Sequence, residues 1–308
     1  MKRVAVIGAG TIGASWAAYF LSRGLSVVAS DPAENGEEFV RQYIETAWPT
    51  LTRLGLAPDA APERIRFERD PTAAVIEADF VQESAPERED LKADLFEDLD
   101  RAMRPEVILA SSSSHIPISR ISAQCQHPER CVIGHPFNPP HMIPLVEVVG
   151  GERTSPETVQ RAIAFYRDIG KRPIYVRKEV SGHLVNRLQA ALWREAISLV
   201  VDGVATVADV DAGIAYGPGL RWAIMGPHLT FHLAGGVGGM RHFMPHLGVF
   251  QAEECWPSLG TPELTPEVQE LIVDGVDEEA NGRGIAELAA ERDQCLVAIL
   301  QALQSCRK

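Results

Sequence analysis

A glycine-rich turn between an apolar run and a helical stretch is the feature that most narrows the folds open to this chain. The segment GAGTIG, which begins at Gly8, directly follows VAVI. Gly8 permits a tight turn, Gly10 lets a pyrophosphate approach the backbone, and Gly13 allows close packing of helix on strand. The amides of Thr11 and Ile12 then fall in the first helical turn, where free N–H groups and the helix dipole favour phosphate. This context indicates the start of a dinucleotide-binding sheet, against the alternative of an ordinary glycine turn.

Asp31 supports the same interpretation and selects the cofactor. It ends the second apolar run, 18 residues after Gly13, where a carboxylate accepts hydrogen bonds from the adenosine ribose. A 2′-phosphate beside that carboxylate is repelled unless a basic residue compensates. Residues 32–38 contain three acidic and no basic side chains. The sequence therefore favours NAD over NADP.

Short β-rich runs alternate with helical stretches over residues 1–180, which predicts a Rossmann-type, doubly wound α/β sheet. Several of these runs are continuously apolar, as is typical of parallel strands covered on both faces. The predicted strands are Arg3–Ile7, Ser26–Ser30, Ile65–Phe67, Phe80–Glu83, Val107–Ala110, Cys131–Gly134, Leu145–Val149 and Ile174–Val176. Ala14–Arg23 and Asp90–Met103 are predicted helices between them.

The pattern changes after residue 180. From His183 onward apolar residues recur at helical spacing and strand signals are nearly absent. Residues 181–308 are therefore predicted to form a second, all-helical domain, in which Ala286–Gln304 is one helix. The segment Gly248–Thr265 is rich in Pro, Gly and Glu, and we expect it to be a surface loop.

Composition and charge exclude several classes of protein. The chain has 308 residues, and its formal net charge of −13 argues against non-specific binding to nucleic acid or to anionic lipid. The sequence contains no apolar run near the roughly 20 residues that a membrane span needs. Five irregularly spaced cysteines without a C-x-x-C pair indicate a reduced protein with neither a disulfide framework nor a zinc ribbon. We expect a cytoplasmic protein with a small-molecule substrate.

A histidine and a glutamate are the strongest candidates for catalysis. His135 follows the apolar run CVIG, near the carboxyl end of a strand, where open α/β sheets bind their ligands. Glu147 lies 12 residues further on, inside LVEVV, where an unpaired carboxylate would be costly to bury. A glutamate can fix the tautomer of a histidine and stabilise its imidazolium. The pair is predicted to take the proton of an alcohol while hydride leaves for nicotinamide; the alternative is a buried structural pair.

Small polar residues near strand ends are further candidates. Ser111–Ser114 follow the run VILA and can hydrogen-bond the nicotinamide and the substrate oxygen, with Ser112 as a cofactor contact. For any one of these serines the alternative is a helix cap. Asn138 lies in PFNPP, and Asn186 lies in the first turns of the helix after residue 180. Their amides can orient a substrate, although each equally suits a cap or a turn.

The combination of motifs resembles the 3-hydroxyacyl-CoA dehydrogenase family. The resemblance runs from Arg3 to about Gly239 and comprises, in family order, GAGTIG, Asp31, QESAPE, Lys92, the serine-rich strand end, GHPFNPP, LVEVV and GHLVNR. It implies a Rossmann-type domain, a helical domain that forms a homodimer, and a His–Glu dyad in which His135 is the base. Its other implied contacts are Ser114, Asn138 and Asn186 for the substrate and Glu83 and Lys92 near the cofactor.

Two departures from the family pattern bear on the substrate. Acyl-CoA enzymes of the family carry a lysine-rich segment after the second strand that serves the CoA tail, whereas residues 32–62 contain no Lys and only Arg41 and Arg53. The family's N-T-S-S is SSSH at Ser112–His115. These features, and the segment GPGLRWAIMGP, resemble the branch acting on small free hydroxy acids.

That branch contains the L-carnitine dehydrogenases and the L-gulonate 3-dehydrogenase/lambda-crystallin group. The resemblance implies oxidation of the 3-hydroxyl of a small 3-hydroxy acid, first of all L-carnitine, to 3-dehydrocarnitine. Oxidation of gulonate or of an acyl-CoA remains an alternative, as does a non-catalytic, structural NAD-binding protein.

Arg221 and Trp222 suit the two charged ends of such a substrate. Arg binds a carboxylate in bidentate fashion, and a Trp face attracts a quaternary ammonium. The alternative for Trp222 is core packing among its apolar neighbours. Two histidine pairs, His228/His232 and His242/His246, have the spacing of metal ligands, but no third ligand accompanies them, and we expect no metal site.

Asp31→Ala is expected to weaken NADH binding and to reduce the preference for NADH over NADPH. The substitution removes a charged hydrogen-bond acceptor worth about 1.5–3 kcal/mol, or roughly ten- to a hundredfold in Kd. Fluorescence titration with both cofactors measures the effect. A wild-type protein that prefers NADPH would contradict the interpretation of Asp31.

Overall fold

The computed structural model of the chain describes residues 2–306. Within that range the backbone divides into two compact units. One ends at Arg187 and also includes Leu296–Gln301; the other consists of Leu188–Cys295 and resumes at Ala302. The division between the two units therefore falls near residue 187. The predicted domain boundary near residue 180 stays a prediction.

The first unit is built on a sheet of eight strands among the described residues. The strands β1 to β8 are Arg3–Ile7, Ser26–Ser30, Ile65–Phe67, Phe80–Glu83, Ile108–Ser111, Cys131–Pro136, Leu145–Gly150 and Arg172–Val176. Their order in the sheet is β3-β2-β1-β4-β5-β6-β7-β8. The order reverses between β1 and β4, and the crevice at the carboxyl ends of such strands is where open α/β sheets bind ligands. The predicted Rossmann-type fold is confirmed.

One strand pair departs from the parallel pattern. β6 and β7 are antiparallel, with His135 directly opposite Glu147. Strand–helix alternation does not reveal this pair, because no helix separates the two strands in the sequence. β6 also continues to Pro136, so the expectation that His135 lies just beyond the strand is wrong: it lies inside. Pairing with β7 supplies the backbone hydrogen bonds that extend β6 to Pro136.

The helices of the first unit cover both faces of this sheet. They are α1 Thr11–Ser22, α2 Gly36–Leu54, α3 Pro71–Val75, α4 Glu89–Ala102, α5 Ile118–Ile121 and α6 Pro156–Asp168. Alternate residues of β1 enter opposite cores: Val4 and Val6 join one apolar cluster, Ala5 and Ile7 the other. Burial on both faces explains why the strands read as continuous apolar runs.

The regular secondary structure described from Val185 to Cys306 is helical. Its helices are α7 Val185–Val201, which begins in the first unit, α8 Val207–Tyr216, α9 Pro218–Trp222, α10 Pro227–Ala234, α11 Gly239–Phe243, α12 Pro266–Ala280 and α13 Ile285–Cys306. Between Tyr216 and Pro266 the helices are short, as expected for a segment rich in Gly and Pro. No helix among residues 2–306 has the length and apolar character needed to cross a membrane.

The predicted surface loop Gly248–Thr265 is wrong in its first half. Gln251–Cys255 forms a π-helical turn and Trp256–Ser258 a 3-10 turn. The glutamates counted as loop residues are good helix formers, and Pro257 stands in the first turn of its helix, where proline is tolerated. Within the segment Gly248–Thr265, irregular backbone is confined to residues 259–265.

Gly134→Ala is expected to destabilise the first unit. A Cβ at Gly134 would lie 1.9 Å from the Tyr166 hydroxyl, which donates a 2.6 Å hydrogen bond to Gln82 in the buried sheet. Overpacking of this kind costs about 1–3 kcal/mol, seen as a lower Tm. Gly213→Ala is the matched control: its Cβ meets nothing within 4 Å in the middle of α8, so it should leave stability unchanged or raise it by about 1 kcal/mol. Equal Tm values for the two variants would contradict the packing described here.

Candidate active site

His135 and Glu147 form a hydrogen-bonded pair because of their register in the sheet. Directly opposed residues of antiparallel strands project to the same face with Cβ atoms roughly 4.5–5.5 Å apart. The His135 Nδ1 lies 2.8 Å from Oε2 of Glu147, and both side chains are buried. Since a carboxylate oxygen can only accept, Nδ1 carries the proton. Nε2 of the neutral ring is then the basic nitrogen.

The other oxygen of Glu147 is held by the start of α7. Oε1 accepts hydrogen bonds from the amides of Leu184, at 3.0 Å, and Val185, at 2.9 Å. Burial raises the pKa of Glu147, but the hydrogen bond from His135 and those two amides outweigh it, and the pKa stays below its ordinary value. The carboxylate is therefore ionised at neutral pH and able to stabilise an imidazolium.

The glycine turn has the shape needed to hold a dinucleotide. Gly8 has a φ of +88°, and a Cβ there would lie 2.7 Å from backbone atoms of Ser84 and Ala85. A Cβ at Gly13 would lie 1.8 Å from the carbonyl oxygen of Gly8. At Gly10, in contrast, a Cβ would meet nothing within 4 Å. The backbone is thus open on the one side from which a pyrophosphate must approach.

Asp31 stands beside this turn, at the end of β2. Its Oδ2 accepts a 2.7 Å hydrogen bond from the amide of Ala9, and its Oδ1 accepts from Ala33. The amides of Thr11 and Ile12 open α1, whose N-cap, Gly10, has no side chain with which to cap them. These residues fit the ribose and phosphates of NAD, the first through its carboxylate and the others through N–H groups. Their individual contacts with the cofactor stay predictions.

Glu83 and Lys92 form a buried ion pair at the end of β4. Nζ of Lys92 lies 2.6 Å from Oε1 of Glu83 and donates to the carbonyl of Ala85 at 2.9 Å. Oε2 of Glu83 accepts from Ser111. β5 includes Ser111, one residue later than predicted, because Ser111 pairs with Glu83 in the parallel ladder. Both groups are engaged within the protein, and their predicted place near the cofactor stays a prediction.

Glu87 organises the serine-rich turn after β5. Its Oε1 accepts from the Ser113 hydroxyl at 2.7 Å and from the amides of Ser114 and His115, each at 2.9 Å. Burial raises the pKa of Glu87, but these hydrogen bonds and the Lys92 charge hold it below its ordinary value. The sequence motif QESAPE contained Glu87, but spacing alone does not show that this carboxylate holds a turn 26 residues away.

The remaining predicted contacts differ in burial and in hydrogen bonding. The Ser112 hydroxyl is engaged with Gln82 and Ser84, at 2.8 and 2.9 Å. Ser114 and Asn186 are half-buried, and Asn138 is exposed two residues beyond β6. Their roles toward cofactor and substrate stay predictions.

Arg221 and Trp222 lie at the end of α9 in the second unit. Both are exposed, and Trp222 retains 41% of its accessible surface. Core packing within the described chain, the alternative for Trp222, is therefore not what the structure shows.

The two histidine pairs make local contacts. His232 Nδ1 accepts from the amide of Met240 at 3.0 Å, and His246 Nδ1 donates to the carbonyl of His242 at 2.8 Å. Among residues 2–306 no group of three His, Cys, Asp or Glu side chains has the geometry of a metal site.

Sequence reasoning missed one residue near the dyad. His183 is buried, and its ring centroid lies 5.3 Å from that of His135. It stands in GHLVNR, in which the asparagine, Asn186, is the predicted contact. The sole local signal was a polar, aromatic side chain next to a glycine before a helix, which is too common to single out.

Two family models match consecutive parts of the chain. The model of the 3-hydroxyacyl-CoA dehydrogenase NAD-binding domain matches residues 3–180, and that of the C-terminal domain of the same enzymes matches residues 182–286. The chain belongs to the 3-hydroxyacyl-CoA dehydrogenase family. The expected NAD cofactor and the expected dehydrogenase activity on a CH–OH group are thereby confirmed.

Individual relatives are similar over almost the whole chain. The L-carnitine dehydrogenase of Streptomyces coelicolor is 52% identical over 302 residues, which cover 98% of this chain and 95% of the relative. The L-carnitine dehydrogenase of Pseudomonas aeruginosa is 49% identical over 307 residues, covering 100% and 95%. The crystal structure of an NAD-dependent dismutase, 5-formyl-3-hydroxy-2-methylpyridine 4-carboxylic acid 5-dehydrogenase, superimposes with a TM-score of 0.83 at 33% identity and 99% coverage of both chains.

His135→Ala is expected to lower kcat by about 10²–10⁴-fold, because the base is lost, while the Kd of NADH stays near that of wild type. Glu147→Gln should reduce kcat less. The neutral amide oxygen can still accept the hydrogen bond from Nδ1, but it stabilises the imidazolium that forms during the reaction less well than a carboxylate does. Steady-state kinetics and NADH titration check both variants. Near-wild-type turnover by His135→Ala would refute the role of the dyad.

Proposed function

We propose that this chain oxidises the 3-hydroxyl of L-carnitine to the 3-keto acid with NAD⁺. The observation that carries the proposal is the His135–Glu147 pair, whose hydrogen bond leaves the basic Nε2 for a substrate. The similarity to L-carnitine dehydrogenases supports the choice of substrate. The protein is expected to work in the cytoplasm on a small molecule, without a nucleic-acid partner.

The residues of the chain divide the reaction between them. Nε2 of His135 takes the hydroxyl proton as the C3–O bond gains double-bond character. Glu147 stabilises the imidazolium that results, and NAD⁺, when bound, supplies the acceptor for the hydride that leaves C3. Ser114 and Asn138 are assigned to the substrate oxygen, where donors stabilise a developing negative charge. Asn186 is assigned to the substrate as well.

The charge of the segment after β2 favours a small substrate over a CoA ester. Residues 32–62 contain no Lys, and the guanidinium of Arg41 already pairs with Glu37 at 2.7 Å on the surface of α2. The phosphates of a CoA tail would find little compensation there. The carnitine trimethylammonium instead suits the exposed ring of Trp222, and its carboxylate suits Arg221.

Wild-type protein is expected to show a higher kcat/KM for L-carnitine than for L-gulonate or 3-hydroxybutyryl-CoA. Trp222→Ala should raise KM for carnitine by about two- to thirtyfold, as 0.5–2 kcal/mol of cation–π energy implies. Trp256→Ala, at another exposed tryptophan of the second unit, is the matched control. Better turnover of gulonate or the CoA ester would contradict the substrate assignment, and no turnover of any of the three would favour a structural NAD-binding protein.

The second unit is proposed to form a homodimer. Large apolar side chains along Leu229–Met240 are open to solvent in the chain: Leu229 is 61%, Leu233 63% and Val237 fully exposed. Gly235, Gly236, Gly238 and Gly239 flank Val237, and small residues of this kind suit close packing. Large exposed apolar side chains concentrated in one segment are typical of a protein interface.

Leu233→Asp is expected to convert the dimer to a monomer at micromolar concentration, because it places a charge in the apolar interface. Light scattering coupled to size exclusion reports the mass. Ile76→Asp, at a similarly exposed apolar residue of the first unit, is the control and should remain dimeric. A monomeric wild type would contradict the proposal.

A further inference from the structure

His183 is a buried imidazole with one nitrogen unsatisfied by the protein. It retains 2% of its accessible surface. Nε2 lies 2.9 Å from the carbonyl oxygen of Ser113, whereas Nδ1 has no hydrogen-bond partner among residues 2–306. Buried polar atoms of side chains are normally paired, so this exception calls for an explanation.

The protonation of the ring follows from the partner of Nε2. A carbonyl oxygen accepts only, so Nε2 carries a proton and donates it to Ser113. Burial lowers the pKa of His183, and the neighbouring His135 lowers it further, against the opposing effects of Ser113, Glu147 and Glu87. The ring is therefore neutral near pH 7. Its Nδ1 is consequently unprotonated and can accept a hydrogen bond from an N–H or O–H group.

His183 lies in a tight turn of left-handed backbone just before α7. His183 has a φ of +48°, in the left-handed region that few side chains adopt, although His and Asn tolerate it best. It follows Gly182, which is also left-handed at +74°, and precedes the amides of Leu184 and Val185 that hold Glu147. One short turn thus fixes both the partner of the base and a second imidazole 5.3 Å from it.

We propose that His183 is a ligand-binding residue of the active site, whose Nδ1 accepts a hydrogen bond from an N–H or O–H group of a ligand bound beside His135. The inference rests on the proposed function, since it places His183 in the same site. Two groups of that chemistry must come close to the base. One is the carboxamide of the nicotinamide, which neighbours the ring carbon that accepts hydride, and the other is the hydroxyl of the substrate.

Two substitutions separate the nitrogens of His183. Gln places its amide nitrogen near the position of Nε2 and keeps the bond to Ser113, but it offers no acceptor at the position of Nδ1. Asn places its amide near Nδ1 and keeps an acceptor there, but it loses the bond to Ser113. Thermal unfolding of both variants measures any general loss of structure.

Each of the two ligands is compared with an analogue that lacks its hydrogen-bond donor. NADH is compared with reduced 3-acetylpyridine adenine dinucleotide, whose acetyl group has no N–H. L-carnitine is compared with 4-trimethylammoniobutanoate, which has no hydroxyl, in the presence of saturating NADH. Kd values are measured by cofactor fluorescence and calorimetry, so that the readout does not depend on turnover.

His183→Gln is expected to weaken one donor-bearing ligand about fivefold, as one lost hydrogen bond implies, and to leave its donor-free analogue unaffected. A loss confined to NADH identifies the carboxamide as the donor, and a loss confined to L-carnitine identifies the hydroxyl. His183→Asn should retain most of that affinity. Wild-type affinity for all four ligands in His183→Gln would overturn the proposal, as would an equal loss for all four with a lowered Tm.

Failure of the proposed function has a different signature. If the wild-type protein binds NADH but does not oxidise L-carnitine, the substrate is wrong, and the comparison of NADH with its acetyl analogue still tests His183. If L-carnitine is oxidised normally while His183→Gln binds every ligand as wild type does, the inference about His183 fails alone.

Discussion

One hydrogen bond between adjacent strands, from Nδ1 of His135 to Oε2 of Glu147, determines which atom of this site can act as a base. The bond exists because β6 and β7 are antiparallel and place the two residues directly opposite each other. A shift of register by one residue would turn the side chains to opposite faces of the sheet. The eight-stranded sheet, with apolar cores on both sides, holds that register and so holds the chemistry.

The same sheet carries the cofactor side of the site. β1 ends in the glycine turn, β2 ends at Asp31, and β4 ends at the buried Glu83–Lys92 pair. The carboxyl ends of parallel strands meet at one edge, where the strand order reverses. Two carboxylates stabilise the turns at this edge. The buried Glu83 holds the end of β5 through Ser111, and Glu87, which is partly open to solvent, holds the serine turn that follows. Glu83 is paired with Lys92, as a buried charge must be.

The sequence predicts the parts of this site whose chemistry is local. The glycine turn, Asp31, and the need of Glu147 for a partner are all visible from residue type and spacing. Non-local features are not visible. The antiparallel pairing places His135 inside its strand, and the ladder with Glu83 shifts the end of β5 by one residue. His183 reaches Ser113 across 70 residues of sequence, which no periodicity reports. Pro and Gly favour a loop over 251–258, whereas the glutamates between them favour the helical turns that the structure has there.

Which nitrogen of His135 carries the proton decides whether the pair can act as a base, and nitrogen NMR of protein labelled with ¹⁵N-histidine observes this directly. Signals are assigned by comparison with His135→Ala and His183→Gln. At neutral pH we expect opposite tautomers for the two neighbouring rings: His135 protonated at Nδ1, with Nε2 as the basic nitrogen, and His183 protonated at Nε2. In Glu147→Gln the His135 signals should change while those of His183 persist. A wild-type His135 protonated at Nε2 instead would show that the pair does not present the base as described.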